Sequence, residues 1–362
     1  MGFRSVGFQH FRNLKDGEVP LEAPEVFLVG ENGQGKTNFL ESIYLLCFGA
    51  SFRTPVDARL IRHGQDQATV RGRFGSEEGP EREVAVQLER LGQKQIRADG
   101  KAVQDRAQLI ENIPCILFSH QDLETITGAP EMRRRFFNQV QSLFDPLFIS
   151  LLRSYRRALR ARNLFLREGN RALVSAGSQS LIELGLRIQE RRTAIVEEFN
   201  HTLSPLFQRV SGLEEEVRIR YRPSWGEGAS AEKVMEQLEG QLEQDLALAA
   251  TTSGPHRDRF LLLQGQREFT HLASTGQVRL GSLLLRVAQA RFYLAKTGRR
   301  PVLLLDDVLL ELDAGRRARF LAEIPAYEQV FFTFLPEEQF LGLRRAQTLI
   351  YRVEDGGFAR ER

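Results

Sequence analysis

Cysteine is nearly missing from this chain: of 362 residues only Cys47 and Cys115 carry a thiol, each inside an apolar segment. That excludes a disulfide framework and marks both as reduced core residues. No apolar run approaches the length of a bilayer span, so no membrane is expected as a partner. The opening Met1-Gly2-Phe3-Arg4 lacks the pattern of a secretory leader, and the expected compartment is cytoplasmic. No internal repeat and no low-complexity tract is visible, which removes the solenoid architectures. Lysine is scarce too, supplying six of the 50 basic residues while arginine supplies the rest. Histidine stops early, all six lying before position 272.

What remains is ordinary soluble-protein material, 42% hydrophobic and 27% charged, long enough for two or three domains. The net charge of +3 conceals an asymmetry. Residues 125–171 carry ten arginines against Glu131, Asp145 and Glu168. On a helix such a stretch is either a footprint for phosphate backbones, which arginine grips through its planar fork, or a solvated face. Genome composition alone is a competing source of the arginine excess.

One motif fixes a ligand class. Gly30-Glu31-Asn32-Gly33-Gln34-Gly35-Lys36-Thr37 matches the phosphate-binding pattern G-x-x-x-x-G-K-[ST]. Its glycines let backbone N–H groups turn inward around phosphates. Lys36 brings a charge to the β and γ phosphates, and Thr37 can place a hydroxyl on Mg²⁺. The apolar run Glu25-Val26-Phe27-Leu28-Val29 precedes it, and Leu40, Ile43, Tyr44 and Cys47 follow at helical spacing. A strand passing into a helix is the context this loop needs. The chain is expected to bind a nucleoside triphosphate.

Further along, residues 3–11 read as a strand. Residues 70–74, 83–88 and 94–98 alternate apolar and polar and form an expected antiparallel meander. Residues 113–118 return to a buried strand. From about 130 the period is helical, with two helices marked by Phe136, Val140, Leu143 and by Leu151, Leu152, Tyr155, Leu159, Leu164. After a loop at 168–179, Leu181 to Phe199 mark a long helix, so an antiparallel helical hairpin is expected, without a sustained heptad. Residues 217–221 read as a strand and 231–249 as an amphipathic helix. Then strands at 260–263, 301–305 and 329–334 alternate with helices at 277–294 and 314–321, and 348–353 closes the sheet. The expected fold is α/β: a mixed sheet with a phosphate loop, an antiparallel β meander and an inserted helical arm. Its domains are 1–125 with 250–362, split by an arm at 126–249.

The second half of a hydrolytic site is visible in Val302-Leu303-Leu304-Leu305-Asp306-Asp307. The strand holds its backbone rigid, the first acid orients Mg²⁺ or its water, and the second can take a proton from attacking water. Roughly 270 residues separate it from Lys36, far more than a small GTPase or nucleoside kinase needs. Just upstream lies Ala273-Ser274-Thr275-Gly276-Gln277, opening a helix. It resembles the signature loop of ABC-type ATPases, where a serine hydroxyl, a glycine N–H and the helix dipole form a second anion site.

The fuller resemblance is to the RecF family of bacterial DNA replication and repair ATPases. It is carried by Phe11-Arg12-Asn13, residues 30–41, Ser51-Phe52-Arg53-Thr54, residues 122–135, Gly254-Pro255-His256-Arg257-Asp258, and residues 303–313, over nearly the whole chain. The resemblance implies ATP and Mg²⁺ as ligands. Gly30, Asn32, Gly33, Gly35, Lys36, Thr37 and Asn38 would form the nucleotide cradle, with Arg12 and Asn13 in contact. Asp306 looks like the Mg²⁺ carboxylate, Asp307 like the general base, and Ser274, Gly276 and Gln277 like the signature loop. Gln121 stands where such proteins place a glutamine reaching the Mg²⁺ and water, or is a solvated loop amide. Arg53 points toward nucleotide or makes a surface salt bridge. Asp313 senses a partner subunit, caps the helix beginning at Ala314, or both. Arg133, Arg134, Arg153, Arg156, Arg157 and Arg160 are the candidate DNA contacts of the arm. Residues 254–258 read as a turn of unknown duty.

Two departures from the wider pattern matter. Asp307 is one methylene shorter than the usual glutamate, and Thr333 stands where a histidine usually follows the last core strand. Slow hydrolysis is therefore expected, with ATP acting as a switch. The resemblance implies an ATP-dependent homodimer that clamps DNA, double-stranded or at single/double-strand junctions. It further implies action with RecO-like and RecR-like mediators to help RecA load at gaps. The alternatives are a nucleotide-gated scaffold with little hydrolysis, and a transporter-type ATPase subunit or small-molecule kinase.

Overall fold

The structure, a computed structural model, describes residues 2–75, 80–105, 107–213, 215–310, 312–337 and 341–361. Glu311 of the run before Asp313 lies outside them. Two compact units emerge, one of residues 1–120, 293–317 and 324–362, the other of residues 121–292 and 318–323.

In the first unit, apolar strands with no polar face build a sheet buried on both sides. Cys115–Phe118, Val302–Leu305, Gln329–Phe334, Glu25–Val29 and Thr348–Glu354 lie side by side, all parallel. Gly357–Arg360 adds an antiparallel edge through an Asp355-Gly356 turn. The first four strands are buried at every position, as a covered parallel sheet requires. A second sheet of the same unit is antiparallel throughout and takes the order 17–20, 2–9, 67–75, 82–89, 94–98, 101–102. Its strands alternate, one face buried and one wet, as residues 67–75 show. The helix Lys36–Phe48 packs Phe39, Leu40, Ile43 and Leu46 into the core that holds Val26, Leu28, Val70 and Val86. The α/β class, the mixed sheet and the meander all match expectation. Cys47 and Cys115 are buried free thiols, and burial first, then the neighbouring Cys115, pushes the Cys47 thiol up.

The second unit is mostly helical. Pro146–Arg167 and Arg171–Ser211 form the hairpin, joined through residues 168–170, with Phe148, Leu151 and Tyr155 packed on Leu181 and Ile188. The expected loop at 168–179 is therefore a correction: helix begins at Arg171. Asn170 caps it by accepting from the Leu173 N–H, and Val174 and Ser178 are buried, so tertiary contacts override the weak apolar period there. The single helix expected at 231–249 is two, Ala231–Gly240 and Leu242–Leu248, parted at Gln241. Val217–Arg222, Arg259–Gln264 and Arg267–Glu268 form a three-stranded antiparallel sheet. Residues 250–292, read from sequence with the ATPase domain, group here because that sheet joins 259–264 to 217–222. Among the described residues no helix is long and apolar enough to cross a membrane.

Candidate nucleotide site

The phosphate loop stands at the C-terminal end of Glu25–Val29, where the strand gives way to Lys36–Phe48. Gly35 precedes the helix at φ 118°, a left-handed conformation that favours glycine, and no side chain caps the helix. The first N–H groups of the helix are left for an anion. Lys36 is 4% exposed, and its ammonium turns back onto the loop's own carbonyls, Gly30 O at 2.5 Å and Glu31 O at 3.0 Å.

Neighbouring segments hold the loop in shape. The Asn13 amide donates to Gly33 O at 3.0 Å, and its carbonyl accepts from Asn38 at 2.7 Å. Asn38 in turn accepts from the Arg53 guanidinium at 2.7 Å. Beneath them Glu41, fully buried, takes Arg12 at 2.9 and 3.0 Å, with Arg53 3.7 Å away, and the Ser51 hydroxyl at 2.5 Å. Arg12 and Arg53 thus converge on a buried carboxylate that the sequence reading did not single out, while Asn13 reaches the loop directly. Gln34 is fixed from the far side: its backbone oxygen accepts from the Gly356 N–H at 2.9 Å and its side-chain oxygen from the Asp355 N–H at 2.6 Å. Only the Asp-Gly pair, a hairpin signature, hinted at this prop.

The two sequence motifs meet through one hydrogen bond. The Thr37 hydroxyl donates to Asp306 Oδ1 at 2.8 Å, joining residues 269 positions apart. Asp306 follows Val302–Leu305, and its N–H donates to Phe118 O on the adjacent strand. Burial first, then the charge of Asp307, pushes the Asp306 carboxyl up to about 6, against the pull of the Thr37 hydroxyl, Arg53 and Lys36. A crowded carboxyl pair beside a lysine is poised for a divalent cation. Asp307 sits at φ 53°, rare for a residue with a Cβ. Thr333 secures it twice, accepting from the Asp307 N–H and donating to its carboxylate, both at 2.7 Å.

Gln121 lies exposed in the short turn His120–Asp122 after Cys115–Phe118. Asp313 caps Ala314–Glu323, accepting from the Arg316 N–H at 2.9 Å. In the second unit Ser274 and Gln277 form a reciprocal cap at the start of Thr275–Thr297. The Ser274 N–H donates to Gln277 Oε1 at 2.8 Å and the Gln277 N–H to Ser274 Oγ at 3.3 Å. Ser274 is exposed and Gly276 half-buried beside it. Of the arm arginines, Arg153, Arg156, Arg157 and Arg160 are exposed on Pro146–Arg167. Arg133 is bonded to Ile126 O and Arg134 to Asp258 O.

The residues present suit a triphosphate and Mg²⁺. A buried ammonium spends itself on two carbonyls, the helix N-terminus has no side-chain cap, and a hydroxyl and a carboxylate share one point. Among the described residues no cluster of three or more acidic, histidine or cysteine side chains could hold a metal. A cation at Thr37 and Asp306 would take its other ligands from phosphates and water, as Mg²⁺ commonly does.

Comparison with known proteins gives a consistent result. Residues 3–356 match the family model described as RecF/RecN/SMC N terminal domain. The DNA replication and repair protein RecF of Treponema pallidum (strain Nichols) is 39% identical over 351 residues, 96% of this chain and 98% of that protein. Its counterpart from Anaeromyxobacter sp. (strain Fw109-5) is 36% identical, covering 98% of each chain. Among solved structures, one described as the recombination mediator protein RecF with ATP in the RecFOR pathway superposes with a TM-score of 0.91. It is 27% identical and covers 99% of this chain and 97% of that one. An SMC head bound to the C-winged helix domain of ScpA shares the fold, with a TM-score of 0.58 and 14% identity over 99% of this chain and 96% of that one.

Proposed function

The chain belongs to the RecF family, and from that premise we propose that it is an ATP-dependent DNA-binding protein of recombinational repair and replication restart. The observation that carries the reading is the 2.8 Å contact of Thr37 with Asp306, which brings two distant motifs together and supports a shared phosphate and cation site. Lys36 leaves its backbone carbonyls for the β and γ phosphates, and the uncapped helix N-terminus receives them. Mg²⁺, when bound, would be held by Thr37 and Asp306 and would supply charge neutralisation for the phosphates, and Gln121 is the candidate to orient the attacking water. Asp307, pinned by Thr333, accepts the proton of the attacking water.

ATP binding drives dimerisation around DNA. Ser274, Gly276 and Gln277 of one copy then meet the γ phosphate held by the other, after Ser274 and Gln277 release their mutual cap. The exposed arginines of the arm offer phosphate contacts. Slow hydrolysis resets the clamp, and RecO-like and RecR-like mediators act with it to promote RecA loading at gaps and junctions. The family's name and the RecFOR pathway of a solved relative support this role.

Sedimentation with ATP or ADP, with and without duplex DNA, tests the clamp. Wild type is expected to dimerise with ATP alone, and Ser274→Arg to stay monomeric while still binding ATP. A wild type monomeric under every condition overturns the reading. Single-turnover hydrolysis by wild type and Asp307→Ala decides between an ATPase and a scaffold that barely hydrolyses. Equal rates favour the scaffold.

A further inference from the structure

A second cluster of arginines lies in the helical unit, far from the phosphate loop in sequence. A cavity of about 310 Å³ opens between Pro130–Ser142, Pro146–Arg167, the middle of Arg171–Ser211 and the turn Pro255–Arg257. Helical spacing aims one face of each long helix into it. Arg134 and Arg135 recur one turn after Glu131, and Arg156 lies one turn after Leu152. Four arginines line this small space, against the single acid Glu131.

The cavity floor explains why these charges are uncompensated. Arg192, 3% exposed, donates to Asp258 Oδ2 at 2.8 Å, to Pro255 O at 2.7 Å and to Asn138 at 3.0 Å, while its buried Nε has no partner. Asp258 is itself saturated. It accepts from Arg192, from Gln189 at 3.2 Å, from the Ser224 N–H at 2.8 Å and from the Tyr221 hydroxyl. One buried carboxylate therefore neutralises one guanidinium. Among the described residues, Arg134 donates only to a backbone oxygen, Asp258 O at 3.0 Å. Among the described residues, Arg135 and Arg156 make no hydrogen bond or ion pair. Burial first, then the charge of Arg192, pulls Arg134 below the ordinary arginine range, with Glu131 and Asp258 opposing. Like charges gathered beside a buried, half-satisfied guanidinium favour an anion shared among them.

We propose that this cavity is a phosphate-binding site, with Arg135 and Arg156 closing on a phosphate group beside Arg134 and above the Arg192–Asp258 floor. Three arginines against Glu131 suit a doubly charged oxyanion, and planar forks suit phosphate oxygens. The same chemistry is offered by a DNA backbone phosphate and by a soluble phosphate compound. In its DNA form the proposal deepens the nucleic-acid reading above, and in its soluble form it stands apart from that reading. The turn 254–258 then gains a duty, since it supplies the carboxylate that fixes the floor.

The test uses R135Q/R156Q in the full chain, two exposed positions whose replacement should leave the thermal unfolding midpoint unchanged. Calorimetric titration with pyrophosphate, in a Lys36→Ala background that disables the phosphate loop, should show saturable binding weakened at least tenfold by R135Q/R156Q. R135K/R156K should recover part of it. For a DNA phosphate, duplex affinity of R135Q/R156Q with Lys36 intact should also fall in the presence of ATP. The slope of log affinity against log salt should then flatten by about 1.8, one phosphate contact fewer in each copy of the dimer. For a soluble ligand, pyrophosphate binding is lost while the duplex slope is unchanged. Unchanged pyrophosphate binding together with an unchanged duplex slope overturns the site. A wild type that ignores duplex DNA but binds pyrophosphate through these arginines overturns the nucleic-acid reading alone.

Discussion

At Asp307 a single threonine does the work of alignment. Thr333 is buried, and its hydroxyl both accepts from the Asp307 N–H and donates to the Asp307 carboxylate, holding a left-handed backbone in place. Thr333→Val keeps the shape and removes both bonds, so hydrolysis is expected to drop by roughly tenfold to a hundredfold. The affinity for ATP should be unchanged, and single-turnover kinetics beside nucleotide titration checks the split. Gly356 is the other residue where one atom decides. At φ 72°, a Cβ there would stand 2.0 Å from Asn13 O, on the turn that props Gln34. Gly356→Ala is expected to cost more than about 2 kcal/mol of stability and to weaken ATP binding, read by denaturant melts with and without nucleotide.

At the scale of elements, the helical unit is tied by buried ion pairs where a smaller apolar core would otherwise have to suffice. Arg162, 1% exposed, donates to Asp245 at 2.7 Å, to Ser178 at 3.0 Å and to Thr251 at 2.8 Å. Asp245→Ala leaves that guanidinium buried and uncompensated. A loss of about 3–5 kcal/mol in denaturant unfolding is expected, and Arg162→Met with Asp245→Leu should recover most of it. His256 adds a pH response. Its Nδ1 faces the Tyr155 hydroxyl at 2.8 Å and its Nε2 the Thr251 carbonyl at 3.0 Å. Burial first, then Arg257 and Arg134, holds its pKa below the ordinary 6.5, against the Thr251 bond and Asp258. The unfolded chain therefore binds the proton more readily. Stability from this residue is present above about pH 6.5 and is lost as pH falls below it. His256→Gln should flatten the melting temperature between pH 7 and 5.5.

At the scale of the molecule, Lys36 is expected to serve assembly as well as hydrolysis. If ATP links two copies, Lys36→Ala should abolish both the ATP-dependent dimer and the ATP-dependent gain in duplex affinity, while sedimenting as a folded monomer. Much of this was legible in the sequence. The phosphate loop, the strand before Asp306, the hairpin helices and the covered parallel strands are written in contiguous residues, where spacing alone carries the physics. The missed helix start at Arg171 and the break at Gln241 lie where the apolar period fades and packing or a cap decides. Glu41, the Asp355-Gly356 prop and the floor under Arg192 left little mark, because each acts only on residues far away in the chain.

By itself the sequence determined the class of ligand and the class of fold, since a glycine-rich turn between strand and helix and a run of buried strands are local consequences of residue order. Only the tertiary structure decided how the site is held. It set the 2.8 Å bond between Thr37 and Asp306, the grip of Thr333 on Asp307, and the crowding of Arg134, Arg135 and Arg156 over a spent carboxylate. Charge and hydrogen-bond partners act over a few ångströms, and chain separation gives no measure of that distance until the fold exists.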